Sequence, residues 1–365
     1  GAGELEKIET LVPQTIWLSF FISLVVYLVT SQLAREIFSL YSARGLILDY
    51  SVDYFRIRAF GFPFTLVTFA IFGVLRGMQN TFYAMCISIG GGLLNIALDI
   101  IMVFGVEGIV PPMGIEGAAW ASLTAQFFMT AVSIWLLLRR TPFGLKLSLR
   151  AHPELRSIIS MSANLVVRTA ALNVAFYLAN RYATGYGESH IAAHTIALNV
   201  WIFSAFFIDG YANAGIAIAG KLLGAKNHVA LGQLGKDLGR YSMMVALGVV
   251  VFFLAAYPFI GRLFTAQKGV LELFGGVFWM IILIQPVNAL AFAFDGIFKG
   301  LGRARLLRNV LLASTFGGFV PTLVVCDYLG MGLHGIWTAF IVWMAVRSGT
   351  LIWVFSKDYL QKTGE

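Results

Sequence analysis

Charged residues are scarce in this sequence, and their scarcity restricts the class of protein to which it can belong. Asp, Glu, Lys and Arg make up 12% of the 365 residues, whereas 59% are hydrophobic and the mean hydropathy is +0.82. Soluble globular proteins carry about 25% charged residues. The composition therefore excludes an ordinary soluble domain and is typical of a polytopic membrane protein.

Cysteine pairs and metal-ligand patterns are also missing. Cys86 and Cys326 lie far apart in apolar surroundings, which is not the pattern of a disulfide framework. The five histidines have no metal-ligand spacing, so we expect no metal, no cofactor and no enzymatic activity. The net charge of +8 is spread over short loops instead of one basic face, so we expect no nucleic-acid partner.

Long apolar stretches are abundant instead. Ten of them are long enough to cross a bilayer as helices, since a span needs about 20 apolar residues, and each is bounded by charge, Pro or Gly. They cover residues 12–33, 51–75, 81–105, 114–138, 155–183, 189–219, 237–260, 271–298, 306–327 and 333–355. The sequence therefore predicts an all-α polytopic membrane protein with about ten helices in this chain.

Lys and Arg are distributed unevenly between the two sets of alternate loops. One set, with its adjoining span ends, collects 17 of these residues and the other only 7. Because Lys and Arg concentrate in cytoplasmic loops, we expect the first set on the cytoplasmic side. Residue 1 and the C-terminus are then both cytoplasmic.

The sequence repeats itself, and the repeat defines the predicted domains. Pro63 matches Pro286, Arg76-Gly77 matches Lys299-Gly300 and Gly1-Ala2 matches Gly224-Ala225, all at one constant offset along the chain. We expect an N-terminal lobe of four helices (1–138), a cytoplasmic linker (139–156) and a C-terminal lobe of six helices (157–365). The rear repeat has two additional leading spans, so we expect two helices of a twelve-helix protein to precede this sequence.

The span from Thr81 to Phe104 contains an acid in an unusual place. Asn95 and Asp99 are four residues apart, so both side chains lie on one helix face. A carboxylate in hydrocarbon costs roughly 3 kcal/mol, and such acids usually face a polar cavity and have a function. The alternative is an Asp near a helix end whose side chain reaches the headgroups.

Charged residues in the rear spans suggest an ion pair. Because a helix rises about 1.5 Å per residue, Arg168 and Asp209 fall at similar depths on consecutive spans, so we expect them to pair. The pair is expected to fix the packing of the lobe, and a role with the substrate or a proton is the alternative. Asp295 is expected nearer the cytoplasmic surface, at the cavity mouth or paired with Lys299 or Arg303. Asn199 is a candidate polar group of the cavity, although a role in helix packing is an equal alternative.

Several motifs resemble one family of transporters. LRGMQNT, LLNIALD and GIEGAAWAS in the front part resemble the multidrug and toxic compound extrusion (MATE) family. FIDGYANAGIAIAGKLLGAKN and AFDGIFKGLG in the rear part resemble its bacterial DinF-like branch. The resemblance covers essentially the whole chain. It implies two pseudo-symmetric six-helix lobes around a central cavity, the MATE/MOP-type fold.

The resemblance also implies a site for the coupling cation in the front lobe. By motif the site includes Asp99 and Asn95, with Ser122 in place of the usual Thr and Tyr54 from the Y-x-R segment. Tyr54 has an equal alternative as an interfacial aromatic anchor. For Ser122, a small residue that permits close helix packing is the favoured alternative.

The function implied is secondary active efflux. The resemblance predicts an antiporter that exports drugs, toxins or metabolites in exchange for H⁺ or Na⁺ by alternating access. It is expected as a monomer in the bacterial inner membrane, with the lipid bilayer and a small organic substrate as partners. The alternative is a flippase for a lipid-linked precursor, which would need a large cationic cavity, whereas only Arg168 is identified from the sequence as an intramembrane cation.

Overall fold

The chain is almost entirely helical and divides into two compact units. The computed structural model describes residues 6–40, 44–148 and 150–360. The boundary between the units lies between Arg156 and Ser157, and they are called the front unit and the rear unit. Long helices are the expected result of this composition, because a segment in hydrocarbon must satisfy its backbone hydrogen bonds internally.

In the front unit, α6 lies at the centre of the helix packing. It contacts α3, α4 and α5, while α1 packs on α4. The helices described in this unit are α1 (Leu11–Gln32), α2 (Ala34–Leu40), α3 (Leu46–Ala59), α4 (Phe62–Gly77), α5 (Phe82–Phe104) and α6 (Gly114–Arg140). A single 3₁₀ turn, Glu6–Ile8, precedes α1.

In the rear unit, α10 holds the central position and contacts α8, α9, α11 and α13. The helices described are α7 (Leu155–Tyr186), α8 (Glu188–Gly224), α9 (His228–Phe264), α10 (Lys268–Gly300), α11 (Ala304–Ala313), α12 (Val320–Tyr328) and α13 (Gly332–Phe355). A π-helical segment, Ser314–Phe319, joins α11 to α12 without interruption, and a second, Ser356–Leu360, extends α13. Buried aromatic side chains fill the core of this unit, including Trp337, Phe340 and Trp343.

The ten predicted spans correspond to these helices, with one correction. Nine helices in the described residues are long and apolar enough to cross a membrane, and α3 with α4 makes a tenth as a bent pair. The span predicted at 51–75 begins earlier, at Leu46, and bends by 43° between Ala59 and Phe62. Pro63, at the start of α4, cannot donate a backbone hydrogen bond to the preceding turn, which accounts for the break.

The repeat extends to the helix boundaries. At the offset that carries Pro63 onto Pro286, the stretch from the start of α3 to the end of α4 becomes 269–300, which matches α10. The same shift turns α5 into 305–327, which matches α11 to α12. The Gly1-Ala2 match and the expected position of the chain ends lie outside the described residues. The two additional helices expected upstream stay a prediction.

Glycines let helix backbones approach closely in both units. A Cβ at Gly296 would overlap the carbonyl of Ala212, and one at Gly300 would overlap that of Ile216, so α8 lies directly against α10. In the front unit, a Cβ at Gly117 would overlap the carbonyl of Met102, which joins α5 to α6. Small residues at helix contacts are typical of membrane proteins, where close packing drives association.

The segment after α6 is attached to the front unit. Gln14 of α1 is buried and donates from its Nε2 to the carbonyls of Ser148, at 3.0 Å, and Arg150, at 2.7 Å. Its Oε1 accepts from the backbone N–H of His152 at 2.9 Å. The Trp17 indole donates to the carbonyl of Leu145 at 2.9 Å. Most of the predicted linker therefore packs along α1.

Candidate functional site

Two of the predicted front-unit residues, Asn95 and Ser122, meet between α5 and α6. Asn95 Nδ2 donates to Ser122 Oγ at 3.3 Å. Asp99 lies one helical turn further along α5 and, like Asn95 and Ser122, is partly buried. The close approach at Gly117 holds the two helices together beside these side chains. The structure therefore joins Asn95 to Ser122 across the α5–α6 contact, with Asp99 one turn further along α5.

Asp99 is unusual in its lack of partners. Its Oδ1 atom is buried and has no hydrogen-bond partner among the described residues. A buried carboxylate oxygen normally accepts hydrogen bonds, because leaving it without a partner costs free energy. A proton or a metal cation bound to the carboxylate would remove that cost.

Tyr54 lies on a different helix of the same unit. It lines an open groove of about 500 Å³ with aromatic and aliphatic neighbours, including Phe38 and Ile115. Among the described residues, no hydrogen bond joins it to Asp99, Asn95 or Ser122. The geometry gives Tyr54 an apolar environment, so its part in a cation site stays a prediction.

Polar side chains continue along α6 beyond Ser122, and they were not singled out from the sequence. Gln126, Thr130 and Ser133 follow at intervals of four, four and three residues, which is one helix face. Thr130 Oγ1 and Thr68 Oγ1 are hydrogen-bonded at 2.9 Å. Gln126 Oε1 and Ser133 Oγ are buried without a partner in the described part of the chain. The spacing in the sequence would have revealed this stripe.

The rear unit holds a buried cluster of one acid and three cations. Asp295 is 2% exposed, and its Oδ1 accepts from Arg168 Nη2 at 2.7 Å and from Arg347 Nη2 at 2.8 Å. Its Oδ2 pairs with Lys299 Nζ at 2.8 Å. The side chains of Arg168 and Arg347 are 11% and 3% exposed. Asp295 is therefore fixed as a carboxylate by charge-assisted hydrogen bonds from α7, α10 and α13.

The predicted Arg168–Asp209 pair is wrong. Arg168 bonds to Asp295, whereas Asp209 is exposed and accepts from Asn213 Nδ2 at 3.0 Å. Similar depth along two consecutive spans does not establish that their side chains meet, because it does not say which way each side chain points. Arg168 lies on the α7 face that also buries Asn164 and Ala171, and this face is directed into the unit.

The sequence predicted two possible ion-pair partners for Asp295, and one of them is found. Lys299 was one of two alternatives for Asp295 and is confirmed by the 2.8 Å ion pair. The other alternative, Arg303, pairs with Asp358 instead. Asp295 is almost completely buried, because Arg168 of α7 and Arg347 of α13 cover it. Its expected depth near the cytoplasmic surface stays a prediction.

Arg347 was missed, although the sequence contains the signal. The chain has 26 Lys and Arg residues, and the two sets of loops and span ends account for 17 and 7 of them. The remaining two are Arg168 and Arg347. Arg347 is therefore a second intramembrane cation, and the prediction that Arg168 is the only one is wrong.

Asn199 and His194 lie on α8, away from the acid–cation cluster. Asn199 Nδ2 donates to the Thr195 carbonyl at 2.8 Å, and the side chain lines an open groove of about 480 Å³ with Phe203 and Phe206. His194 is fully buried and stacks near Phe340, with a distance of 6.3 Å between ring centroids. Asn199 therefore stays a predicted polar group at an apolar groove.

These features define a class of protein. The chain is a polytopic helical membrane protein. Among the described residues, one unit holds an acid with an unpartnered buried oxygen, and the other holds an acid bonded to three cations. No group of three His, Cys, Asp or Glu side chains arranged to hold a metal occurs in the described ranges. Ionisable residues inside membrane-spanning helices are rare and typically mark substrate or ion pathways.

Comparison with known proteins identifies the family. The sequence profile of the MatE family matches residues 1–101 and 165–324. The chain belongs to this family, whose members are transporters and not enzymes. The resemblance to MATE transporters found in the motifs is thereby confirmed.

Individual relatives agree with this assignment. DNA damage-inducible protein F of Escherichia coli (strain K12) is 26% identical over 322 residues, which cover 87% of this chain and 68% of that protein. This match fits the DinF-like branch. Protein DETOXIFICATION 42 of Arabidopsis thaliana is 26% identical over 313 residues, covering 83% of this chain and 57% of that protein. The chain therefore spans little more than half the length of the plant relative and about two thirds of the bacterial one.

A solved structure supports the fold. The chain is similar to an outward-facing multidrug resistance MATE family transporter of the MOP superfamily, with a TM-score of 0.87 and 19% identity. The match covers 98% of this chain and 80% of that one. The predicted all-α, MATE/MOP-type fold is confirmed.

Proposed function

We propose that this protein is part of a secondary active exporter of small organic molecules, driven by H⁺ or Na⁺ that binds at Asp99. The proposal extends the family assignment to an activity. The name of the similar solved structure includes multidrug resistance, which supports export as the direction of transport.

The observation on which the proposal depends is the difference between the two intramembrane acids. Asp295 accepts hydrogen bonds from three cations and has no need of another positive partner. Asp99 has a buried oxygen without any partner among the described residues. A carboxylate in that condition gains more from a bound proton or metal ion than one already compensated. Asp99 is therefore our candidate for the coupling residue.

The neighbours of Asp99 support either ion. Hard cations prefer oxygen ligands. Asn95, one turn before Asp99 on α5, and Ser122, which accepts a hydrogen bond from Asn95, both carry side-chain oxygens. A proton needs only the carboxylate. Tyr54 has a weaker claim, because it lies among apolar side chains.

The transport cycle that we infer is alternating access of the two units. Binding of the ion at Asp99 removes the cost of a buried free carboxylate and changes the relative stability of two conformations of the front unit. The loops rich in Lys and Arg, including residues 139–156, lie on the cytoplasmic side in this proposal.

The test is ion-driven export in proteoliposomes that contain the full-length protein. Efflux of a fluorescent dye is measured under an imposed pH gradient or an imposed Na⁺ gradient. We expect Asp99→Asn to abolish the part of the efflux that depends on the gradient, while dye binding persists, because the variant cannot take up the ion.

A matched control is available on α3. Asp53→Asn is the same substitution of an acid by an amide, made at an exposed residue. Because Asp53 is not part of the proposed ion site, Asp53→Asn should leave gradient-driven efflux unchanged. Gradient-driven efflux by Asp99→Asn at the wild-type rate would contradict the assignment of the coupling site.

A further inference from the structure

Positive charge exceeds negative charge in the buried cluster of the rear unit. Arg168, Lys299 and Arg347 all pair with Asp295, and within the described residues no other acid forms an ion pair with them. Three cations and one carboxylate give a local charge of +2. Uncompensated charge in a low-dielectric environment is costly. The cluster therefore has an excess of two positive charges that an anion could compensate.

The cluster also has donors that Asp295 does not use. Arg168 gives only its Nη2 to Asp295, and its Nε is buried without a hydrogen-bond partner in the described part of the chain. Lys299 has three N–H donors, and its side chain is 31% exposed. The open edge of the cluster is therefore formed by Arg168 and Lys299.

The donors are held in position before any ligand arrives. Arg347 lies over the Phe292 ring, 5.3 Å from its centroid, and its Nη2 is bonded to Asp295. Gly296 and Gly300 fix α8 against the other side of α10. Because the guanidinium groups are already ordered, an anion would bind without the entropic cost of immobilising them.

A fourth cation extends the positive region along α7. Arg308 Nη1 donates to Asn164 Oδ1 at 2.7 Å, and Asn164 lies one helical turn before Arg168 on the same face. The remaining nitrogens of Arg308 bond to the amide of Asn309, which is neutral. The charge of Arg308 therefore adds to the positive field beside the cluster.

We propose that Arg168 and Lys299, supported by Arg347, bind a carboxylate or phosphate group of the transported molecule. Guanidinium and ammonium groups recognise these two anions through the same charge-assisted hydrogen bonds. This inference rests on the proposed transport function, because it names the class of substrate. It predicts a substrate with an anionic group attached to an apolar body.

The test compares probes that differ only in charge. The full-length protein in phosphatidylcholine nanodiscs is titrated with naphthoate and with the neutral naphthamide, and binding is measured by tryptophan fluorescence without any ion gradient. We expect wild type to bind naphthoate at least about tenfold more tightly than naphthamide, the factor given by one net charge-assisted hydrogen bond. Equal affinities would overturn the proposal.

Variants then locate the site. Lys299→Met leaves Asp295 bonded to both arginines and should weaken naphthoate binding about tenfold, with naphthamide binding unchanged. Lys299→Arg should retain most of the affinity for naphthoate. Lys236→Met removes the same charge from an exposed position on α9 and should have no effect. A loss in Lys236→Met equal to that in Lys299→Met would contradict the site.

Asp295→Asn provides a gain of function, which misfolding cannot produce. Without the internal carboxylate the three cations should bind naphthoate more tightly, whereas unchanged or weaker binding by a folded variant would count against the site. Phosphatidylglycerol is added in a separate arm. If it displaces naphthoate from wild type and not from Lys299→Met, the ligand is a lipid headgroup and the substrate assignment is wrong.

These binding results are independent of ion coupling. Because no gradient is present, failure of Asp99→Asn to alter transport would not affect the comparison of naphthoate and naphthamide. Conversely, equal binding of the two probes would leave Asp99 as the coupling residue and remove only the anionic substrate.

Discussion

The front and rear units repeat the same order of helices, yet they treat a buried acid in opposite ways. In the front unit, Asp99 on α5 has a buried oxygen with no partner in the described part of the chain, whereas in the rear unit Asp295 on α10 is bonded to three cations. At the offset of the repeat, Asp99 corresponds to Thr322 and Asp295 corresponds to Phe72. A repeat of the fold therefore does not imply a repeat of the chemistry.

The difference assigns separate tasks to the two units. A buried carboxylate oxygen without a hydrogen-bond partner can gain stability from a bound cation, whereas the carboxylate of Asp295 already has three cationic partners. In our proposals, ion binding is therefore a property of the front unit, and recognition of a negatively charged group is a property of the rear unit. The same substitution made in each unit tests this division directly.

The largest effect is expected on stability when each acid is converted to an amide. Asp295→Asn leaves three buried cations without a counter-charge, which costs roughly 3–5 kcal/mol. Asp99→Asn removes an uncompensated carboxylate and should change stability by less than about 1 kcal/mol or increase it. Thermal unfolding in detergent measures both.

Added formate should stabilise Asp295→Asn selectively. A small carboxylate can occupy the space left near the three cations, so formate should raise the unfolding temperature of Asp295→Asn more than that of wild type.

The comparison of the two amide variants without formate has its own contradicting outcome. Equal unfolding temperatures for Asp295→Asn and Asp99→Asn would mean that Asp295 is not the counter-charge of the cluster.

A smaller effect is expected in double-mutant cycles within the rear unit. Because Arg168 Nη2 lies 2.7 Å from Asp295 Oδ1, Arg168→Met with Asp295→Asn should show a coupling energy of about 1–3 kcal/mol. Arg168→Met with Asp209→Asn should be additive within about 0.5 kcal/mol, since Asp209 bonds to Asn213. A coupling energy between Arg168 and Asp209, with none between Arg168 and Asp295, would instead support the pair predicted from the sequence.

Much of the fold follows from the sequence alone. Apolar length and loop charge predicted each of the ten spans, because the bilayer imposes a length on every helix. The bend between Ala59 and Phe62 was not predicted, although Gly61 and Pro63 are both helix-disrupting residues. The length of an apolar stretch does not show whether the helix bends within it.

The candidate site was predictable only where residues are close in sequence. Asn95 and Asp99 share a helix face by spacing, and Lys299 follows Asp295 by four residues, so local periodicity was enough. The bond from Arg168 to Asp295 joins residues 127 apart and depends on how α7 rotates toward α10. Depth along a helix gives no information about that rotation.

The smallest effect concerns Ser122, and it distinguishes the two coupling ions in the front unit. If Na⁺ binds at Asp99, the Ser122 hydroxyl, which accepts from Asn95 at 3.3 Å, is positioned to serve as an oxygen ligand. Ser122→Ala should then raise the Na⁺ concentration for half-maximal efflux about threefold to fivefold. If a proton is the coupling ion, the carboxylate suffices, and the pH dependence of efflux should be unchanged in Ser122→Ala and absent in Asp99→Asn.

Ser133→Ala is the control, because Ser133 Oγ is buried on the same helix without a partner among the described residues. Its removal should affect neither the Na⁺ dependence nor the pH dependence of efflux. A shift of equal size in both serine variants would show that the effect comes from the packing of α6 and not from an ion ligand.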